Sequence, residues 1–320
     1  MQNAMSDVVS VVIPVCNAEP YLEDTLKSVF AQTYPHIEII AVDDGSTDRS
    51  VDILERYSDR LVLIKQKNSN AAAARNRGVR EATGKWIAFL DADDLWSPDK
   101  IRRQLDACGH CVWSYTDSIF MGGVNDGKKD SDLNKKYQGR VLEMLVCNNF
   151  VGASSVMIQR QVYLDAGGFN EPLQSIEDWE LWIRLASVHE IAYVNEPLVT
   201  YRVHSSSASR STHKTLPYHM KVIEMVFAEG GPAERLRHLM PSAKARSYSI
   251  CSQIAEEEGD YSFAFRCSVL ACRQEPLGTR LWERAFKSFV KYLMYLIGRP
   301  VAQHAWWLVL IMAFEPLVST

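Results

Sequence analysis

Short apolar runs alternate with stripes of helical period through the first 110 residues. Val8–Val15 is rich in valine and reads as a buried strand. Tyr21–Tyr34 follows, with Leu22, Leu26, Val29 and Phe30 at helical spacing. Ile37–Val42 predicts a second strand. Ser46 and Thr47 are placed to cap a helix carrying Val51, Ile53 and Leu54. Leu61–Ile64 predicts a third strand. Ala71–Ala82, alanine-rich and closed by Gly84, predicts a helix. Trp86–Leu90 predicts a fourth strand, and Pro98 opens a helix through Ile101 and Leu105. Such alternation predicts a parallel sheet with helices on both faces.

The pattern then becomes mixed. Residues 122–140 are polar and read as a surface loop. Ala153–Ile158 predicts a strand, Ile176–Ala186 an amphipathic helix, and Ile191–Val203 strand material broken at Pro197. From Leu216 onward the composition is helical, with a hairpin over Tyr248–Cys272 around Gly259-Asp260. The expected division is 1–215, with halves 1–110 and 111–215, followed by a helical region 216–320.

Composition narrows this picture. The chain has 320 residues, 47% hydrophobic and 23% charged, enough to bury a core. A net charge of −4 argues against a general nucleic-acid binder. Seven scattered cysteines, an odd number, predict reduced thiols and a cytoplasmic setting. Cys108-Gly-His-Cys111 lacks the second pair that a zinc site needs. The N-terminal stretch lacks a basic segment before its apolar run, so it reads as a strand and not a signal peptide. The apolar run 305–314 is ten residues long, whereas a span needs roughly 20. Packing against the body is the expectation for it. The alternative is peripheral membrane contact over 290–318, with Trp306 and Trp307 at headgroup level on the inner face of the membrane.

The sequence FLDADDLW at 89–96 carries the chemistry. An apolar run stops, and Asp91, Asp93 and Asp94 follow at once. Three carboxylates so close repel one another, which points to a bound cation. In open α/β sheets ligands gather beyond the carboxyl ends of strands, and Asn17, Asp43, Asp44, Asp91 and Asp93 all fall there. In an extended segment Asp91 and Asp93 point the same way, and the small Ala92 lets a ligand approach. Mg²⁺ or Mn²⁺ favours such oxygens and shares its shell with phosphate. The competing reading is structural, with Asp94 or Ser97 capping the helix at Pro98. No G-x-G-x-x-G follows the first strand. GVREATGKW at 78–86 has the wrong spacing for a phosphate loop and reads as a helix end.

Five ordered blocks, VSVVIPVCNAEPYLEDTLKSVFAQ, IIAVDDGSTDRS, NAAAARNRG, GKWIAFLDADD and SIEDWELWIRL, resemble family 2 glycosyltransferases of the GT-A fold. The resemblance runs from Val8 to Ser209. It implies a mixed α/β sheet flanked by helices and a non-processive, inverting transferase acting in bacterial surface polysaccharide synthesis (O-antigen, capsule or exopolysaccharide). It implies a nucleotide-diphosphate-sugar donor, UDP by preference, a saccharide or lipid-linked saccharide acceptor, and Mn²⁺ or Mg²⁺. Pro14, Asn17 and Glu19 would lie beside the nucleotide, Asp44 would hold its base or ribose, and Arg75 and Asn76 would lie near its phosphates. Asp91-Ala92-Asp93 would be the DXD motif, Asp93 the direct metal ligand, and Asp91 a contact to ribose or sugar. Asp178 would be the acceptor-activating base. His204 would close over the diphosphate or metal.

General chemistry supports these roles. The leaving diphosphate needs charge neutralisation, Arg75 offers bidentate donors, and an acceptor hydroxyl needs a base. A single base without a second flanking carboxylate suits one displacement with inversion. Two departures stand out: Cys16 replaces a usual aromatic and offers a thiol to alkylation, and Asn70 replaces a usual glycine. No QxxRW block follows. Nucleotidyl transfer would want an N-terminal phosphate loop, and a binding module without turnover would not need Asp91, Asp93 and Asp178.

Overall fold

A computed structural model describes residues 7–204 and 211–297. Its strands are β1 Val9–Val15, β2 Ile37–Asp43, β3 Val62–Lys65, β4 Trp86–Phe89, β5 Leu95–Trp96, β6 Trp113–Met121, β7 Met157–Gln159 and β8 Ala192–Arg202. The helices of the sheet region are α1 Leu22–Phe30, α2 Ser50–Glu55, α3 Ala71–Glu81, α4 Lys100–Cys108, α5 Asp130–Leu133, α6 Leu142–Cys147, α7 Arg160–Asp165 and α8 Glu177–Ala186. The later ones are α9 Thr212–Phe227, α10 Met240–Glu257, α11 Tyr261–Gln274 and α12 Thr279–Ile297.

Two compact units result, Met1–Ala208 with Lys221–Arg237 and Ser209–Met220 with His238–Thr320, so one boundary falls within α9. The first unit contains one sheet in the order β3-β2-β1-β4-β7-β6-β8-β5. Strands β3, β2, β1 and β4 run parallel, as the alternation predicts. Beyond β4 the sheet is mixed: β7 is antiparallel to β4 and β6, β8 is parallel to β6, and β5 is antiparallel to β8. The pattern predicted no element over Trp113–Met121, yet β6 is there, buried on both faces through its first five residues. Its Trp, Tyr, Thr, Ile and Phe are strand formers, but they form no run of aliphatics to catch the eye.

Pro197 does not break β8. It lies opposite Asp117, where the register shifts on both sides of Asp117. A bulge absorbs the proline's missing N–H, so an internal strand can contain it. Ser46 and Thr47 do not cap α2. Asn17 takes them instead: its N–H donates to Ser46 Oγ at 3.0 Å, and its Oδ1 accepts from Thr47 N at 2.8 Å. The helix at Pro98 starts two residues later, at Lys100.

Helix α3 matters most for the site. Gly78 lets it lie on β1 and β2: a Cβ there would stand 2.5 Å from Val12 Cγ1 and 3.3 Å from Val42 Cγ2. Both valines are fully buried and cannot yield. Gly78→Val is therefore expected to destabilise the protein by about 2–3 kcal/mol, read as a lower urea midpoint with an unchanged slope. Gly84, predicted to close this helix, sits beyond its Ala82 cap and serves a close approach to β1, since a Cβ would lie 2.6 Å from Ser10 Oγ.

The second unit is helical. Gly259, at φ +80°, turns α10 into α11, and Asp260 caps α11 by accepting from Phe263 N at 3.0 Å. The predicted hairpin is thus present, begins earlier at Met240, and is joined by α12. Small residues line the seam, and Ser252, Ser268 and Ser288 link the three helices through their hydroxyls at 2.8 and 3.2 Å. No helix among the described residues is long and apolar enough to cross a membrane. The run at 305–314 lies outside the described residues. None of the seven cysteines forms a disulfide.

Candidate active site

The acid turn hangs from the carboxyl end of β4 and is clamped from three sides. Thr25 Oγ1 donates to the carbonyls of Ala92 and Asp94, both at 2.9 Å. Asp91 N donates to Ser154 Oγ at 3.1 Å. Asp94 is buried, accepting from Ser154 Oγ at 2.5 Å and from Arg202 N at 3.0 Å. Neither Asp94 nor Ser97 caps α4, whose N-cap position is Asp99, and this removes the capping explanation of the cluster. Burial, then the charges of Asp91 and Asp93, raises the Asp94 pKa well above the usual range. The crowding of three acids is thus relieved in part by holding Asp94 toward its neutral form. Asp93 is also raised, by burial and by Asp91, while His204 opposes the shift.

His204 Nε2 lies 2.9 Å from Asp93 Oδ2. Its ring stacks on Tyr21 with centroids 4.5 Å apart. Arg202, two residues earlier, sends Nη2 to Asp24 at 3.1 Å, lies over the Tyr21 ring at 5.3 Å and leaves Nη1 buried without a hydrogen-bond partner. Neither Tyr21 nor Arg202 was singled out from sequence. The cue was there for Arg202, two positions before His204 at the end of a predicted strand.

Arg75 joins this turn to Glu177, the residue before the predicted base. It is 5% exposed, with Nη2 2.6 Å from Asp91 Oδ1 and Nη1 2.7 Å from Glu177 Oε1. Burial alone would lower its pKa, but the two carboxylates more than reverse this and raise it. Glu177 and Asp178 open α8. The residue before them, Ile176, is left-handed at φ +64°. A β-branched side chain there costs about 1–2 kcal/mol, strain of the kind that collects at functional sites.

Asp178 Oδ2 accepts from Asn149 Nδ2 at 3.3 Å and Oδ1 accepts from Trp179 N at 2.7 Å. Part of its surface stays open. Burial of the carboxyl, followed by the charge of Glu177, nevertheless pushes its pKa up to about 7. That is where a general base for neutral pH should be. Asn149 was not anticipated. Trp179 and Trp182, which donate to the carbonyls of Leu145 and Val151, tie α8 to the same 145–151 segment.

The remaining predicted residues divide into two groups. Pro14, Asn17, Glu19 and Asp44 lie at the ends of β1 and β2, where Asp44 N donates to Val15 O at 2.8 Å. Asp44 is buried and braces the loop 66–70, accepting from Gln66 Nε2, Ser69 N and Asn70 N, each at 2.8 Å. Glu19 is on the surface, and hydrogen bonds from Arg49 hold its carboxyl below the usual range. Asn70, at φ +100° and ψ 166°, occupies backbone space normally left to glycine. Its bonds to Asp44, Ala73 N and Glu171 O hold it there. Cys16 is exposed, but burial of its sulfur and the charges of Asp44 and Asp43 raise its thiol pKa, which works against alkylation.

Asn76 stands apart. Its amide donates to Phe169 O and Glu171 Oε1 at 2.9 Å, and its carbonyl accepts from Phe169 N and Tyr163 Oη. It lines a cleft of about 630 Å³ with Tyr163, Phe169 and Arg184, a cleft that none of Asp91, Asp93 or Asp178 touches.

Comparison with known proteins bears on this geometry. The profile described as Glycosyl transferase family 2 matches residues 10–165. Glycosyltransferase TuaG of Bacillus subtilis (strain 168), whose name assigns it to teichuronic acid biosynthesis, is 35% identical over 215 residues, covering 65% of this chain and 83% of TuaG. The chain belongs to glycosyl transferase family 2. It is a glycosyltransferase. Staphylococcus aureus TarS 1–349 matches at a TM-score of 0.63 and 17% identity, over 92% of this chain and 93% of TarS 1–349. The mannosyltransferase PcManGT of Pyrobaculum calidifontis matches at 0.59 and 17%, over 92% and 88%. At such identity the structures speak for the fold, the GT-A arrangement that the five blocks imply. Among the described residues, no three His, Cys, Asp or Glu side chains form a metal shell of their own.

Proposed function

We propose that this family 2 member moves one sugar from a nucleotide-diphosphate donor to an acceptor hydroxyl with inversion, in bacterial surface polysaccharide synthesis. What carries the reading is geometry: Arg75 bridges Asp91 of the acid turn to Glu177, the neighbour of Asp178 at the start of α8, and burial pushes the Asp178 carboxyl up to about 7. Asp178 in its ionised form takes the acceptor proton. The acceptor oxygen bonds to the anomeric carbon as the bond from that carbon to the diphosphate oxygen breaks. The nucleotide diphosphate leaves on the opposite face, which inverts the centre.

Asp93 and His204 fit a hard divalent cation, since crowding by Asp91 and burial leave Asp93 short of positive charge. Two protein ligands are few, and Mg²⁺ or Mn²⁺ completes its shell with phosphate and water. When bound, such an ion would offset the negative charge of the departing diphosphate. Arg202, with Nη1 unpartnered, is the nearby guanidinium free to face that charge. Structures of TarS with UDP-GlcNAc and of PcManGT with GDP-Man and Mn²⁺ support the choice of donor class and metal. The TuaG name supports an envelope polysaccharide, made on a saccharide or lipid-linked saccharide acceptor.

Thermal stabilisation by UDP, GDP, CDP and dTDP, each with Mn²⁺ and again with excess EDTA, tests this. One nucleotide should stabilise the protein by about 2.7 kcal/mol at a hundredfold excess over its Kd and lose that effect in EDTA. No shift with any of the four would sink the donor and metal assignment.

A further inference from the structure

The second unit carries charge and apolar surface that sugar transfer does not use. On α12, cations recur at Arg280, Arg284, Lys287 and Lys291. Steps of four, three and four residues place them in one stripe along the helix. The stripe borders a groove of about 490 Å³, in which the acids are Glu256 and Glu283. Four cations therefore meet two acids, in a chain whose net charge is −4. Glu256 is already engaged by Lys291 at 2.7 Å and by Ser288. Arg284 is half-buried, and its Nε has no hydrogen-bond partner. Burial lowers its pKa, Glu256 opposes the shift, and Arg246 adds to it. Positive charge is in excess here and partly dehydrated, so an anion would be welcome.

The apolar side of this helix packs on α11, where Phe289 and Tyr292 meet Phe265, but the cationic stripe itself runs on into exposed apolar side chains. Met294 is 36% exposed and Tyr295 63%, three and four residues beyond Lys291 and so on the same side of the helix as the stripe. A free phosphate would have no use for these side chains. A cationic stripe beside large exposed apolar residues is the pattern of a helix lying in a membrane interface.

We propose that α12 docks on a membrane containing anionic phospholipid, with phosphate headgroups seated along Arg280, Arg284 and Lys287. The docking is independent of which sugar or nucleotide the site takes. The full chain should co-sediment with vesicles of equimolar phosphatidylcholine and phosphatidylglycerol, and not with phosphatidylcholine alone. Raising salt should release it. The double variant Arg280→Glu/Lys287→Glu changes two exposed side chains and should bind at least about twentyfold more weakly. Its melting temperature and its stabilisation by nucleotide should be those of the parent, which separates this test from that of the donor site. Equal binding to neutral vesicles, or equal binding by the variant, would overturn the proposal in favour of purely apolar capture. Stabilisation by inorganic pyrophosphate without vesicle binding would overturn it in favour of a soluble anion site.

Discussion

Asp178→Asn is expected to lower sugar transfer by about 10²–10⁴-fold while leaving stabilisation by the nucleotide diphosphate intact. Asparagine keeps the shape and its Oδ1 can still accept from the N–H of Trp179, but its amide gives up the weak 3.3 Å bond from Asn149 and cannot take the acceptor proton. Since burial and the charge of Glu177 push the Asp178 carboxyl up to about 7, transfer by the parent should rise with pH through that value and then level off. The stability effect has the opposite sign. A carboxyl whose pKa is raised on folding favours the fold in its protonated form. That contribution is fully present below the ordinary carboxylate pKa and is lost as pH rises through about 7. The variant escapes this loss. Its melting temperature should therefore gain on that of the parent as pH rises from 5 to 8. A variant with normal transfer would show that the base is another group. One that fell with pH in step with the parent would show that the raised pKa is not Asp178's.

The sequence was most legible where one physical rule decided the outcome. β1, β2 and β4 are largely buried apolar runs, and α3 is an alanine-rich helix closed on the sheet by Gly78, so periodicity and propensity agree. It was less legible where tertiary contacts decide. β6 mixes aromatic and hydroxyl residues, and its strand state depends on β7 and β8, which are distant in sequence. Pro197 looks like a strand breaker until the bulge at Asp117 is seen to absorb it. The candidate site divides in the same way. The acids at 91–94 announce themselves by their crowding. What holds them does not: Thr25, Ser154 and Arg202 are ordinary residues whose roles come from distances across the fold. Asn149 belongs with them. Asn76 shows the converse, because its place beside Arg75 in the motif predicts phosphate contact while its amide is committed to Phe169, Glu171 and Tyr163.

Arg75→Met should be the most damaging single change in the site. The motif predicts that Arg75 meets the donor phosphates, but its two terminal nitrogens are held by Asp91 and Glu177 and only the buried Nε is left without a partner. Removing it leaves two carboxylates facing each other without compensation, a loss of about 3–5 kcal/mol. Lysine should not rescue, because a single ammonium cannot reach both partners as a planar fork does. The effect should also extend to the base. Arg75 lowers the Asp178 pKa, so what remains of the activity should have its rise shifted above pH 7. A phosphate-binding arginine predicts something else: full stability, an unshifted profile, and loss confined to nucleotide affinity. Urea unfolding and a pH–rate profile on the same variant separate the two roles. The bridge role explains why one buried cation lies between the acid turn and the start of α8. It ties Asp91, in the turn proposed to face the donor, to Glu177, next to the proposed base.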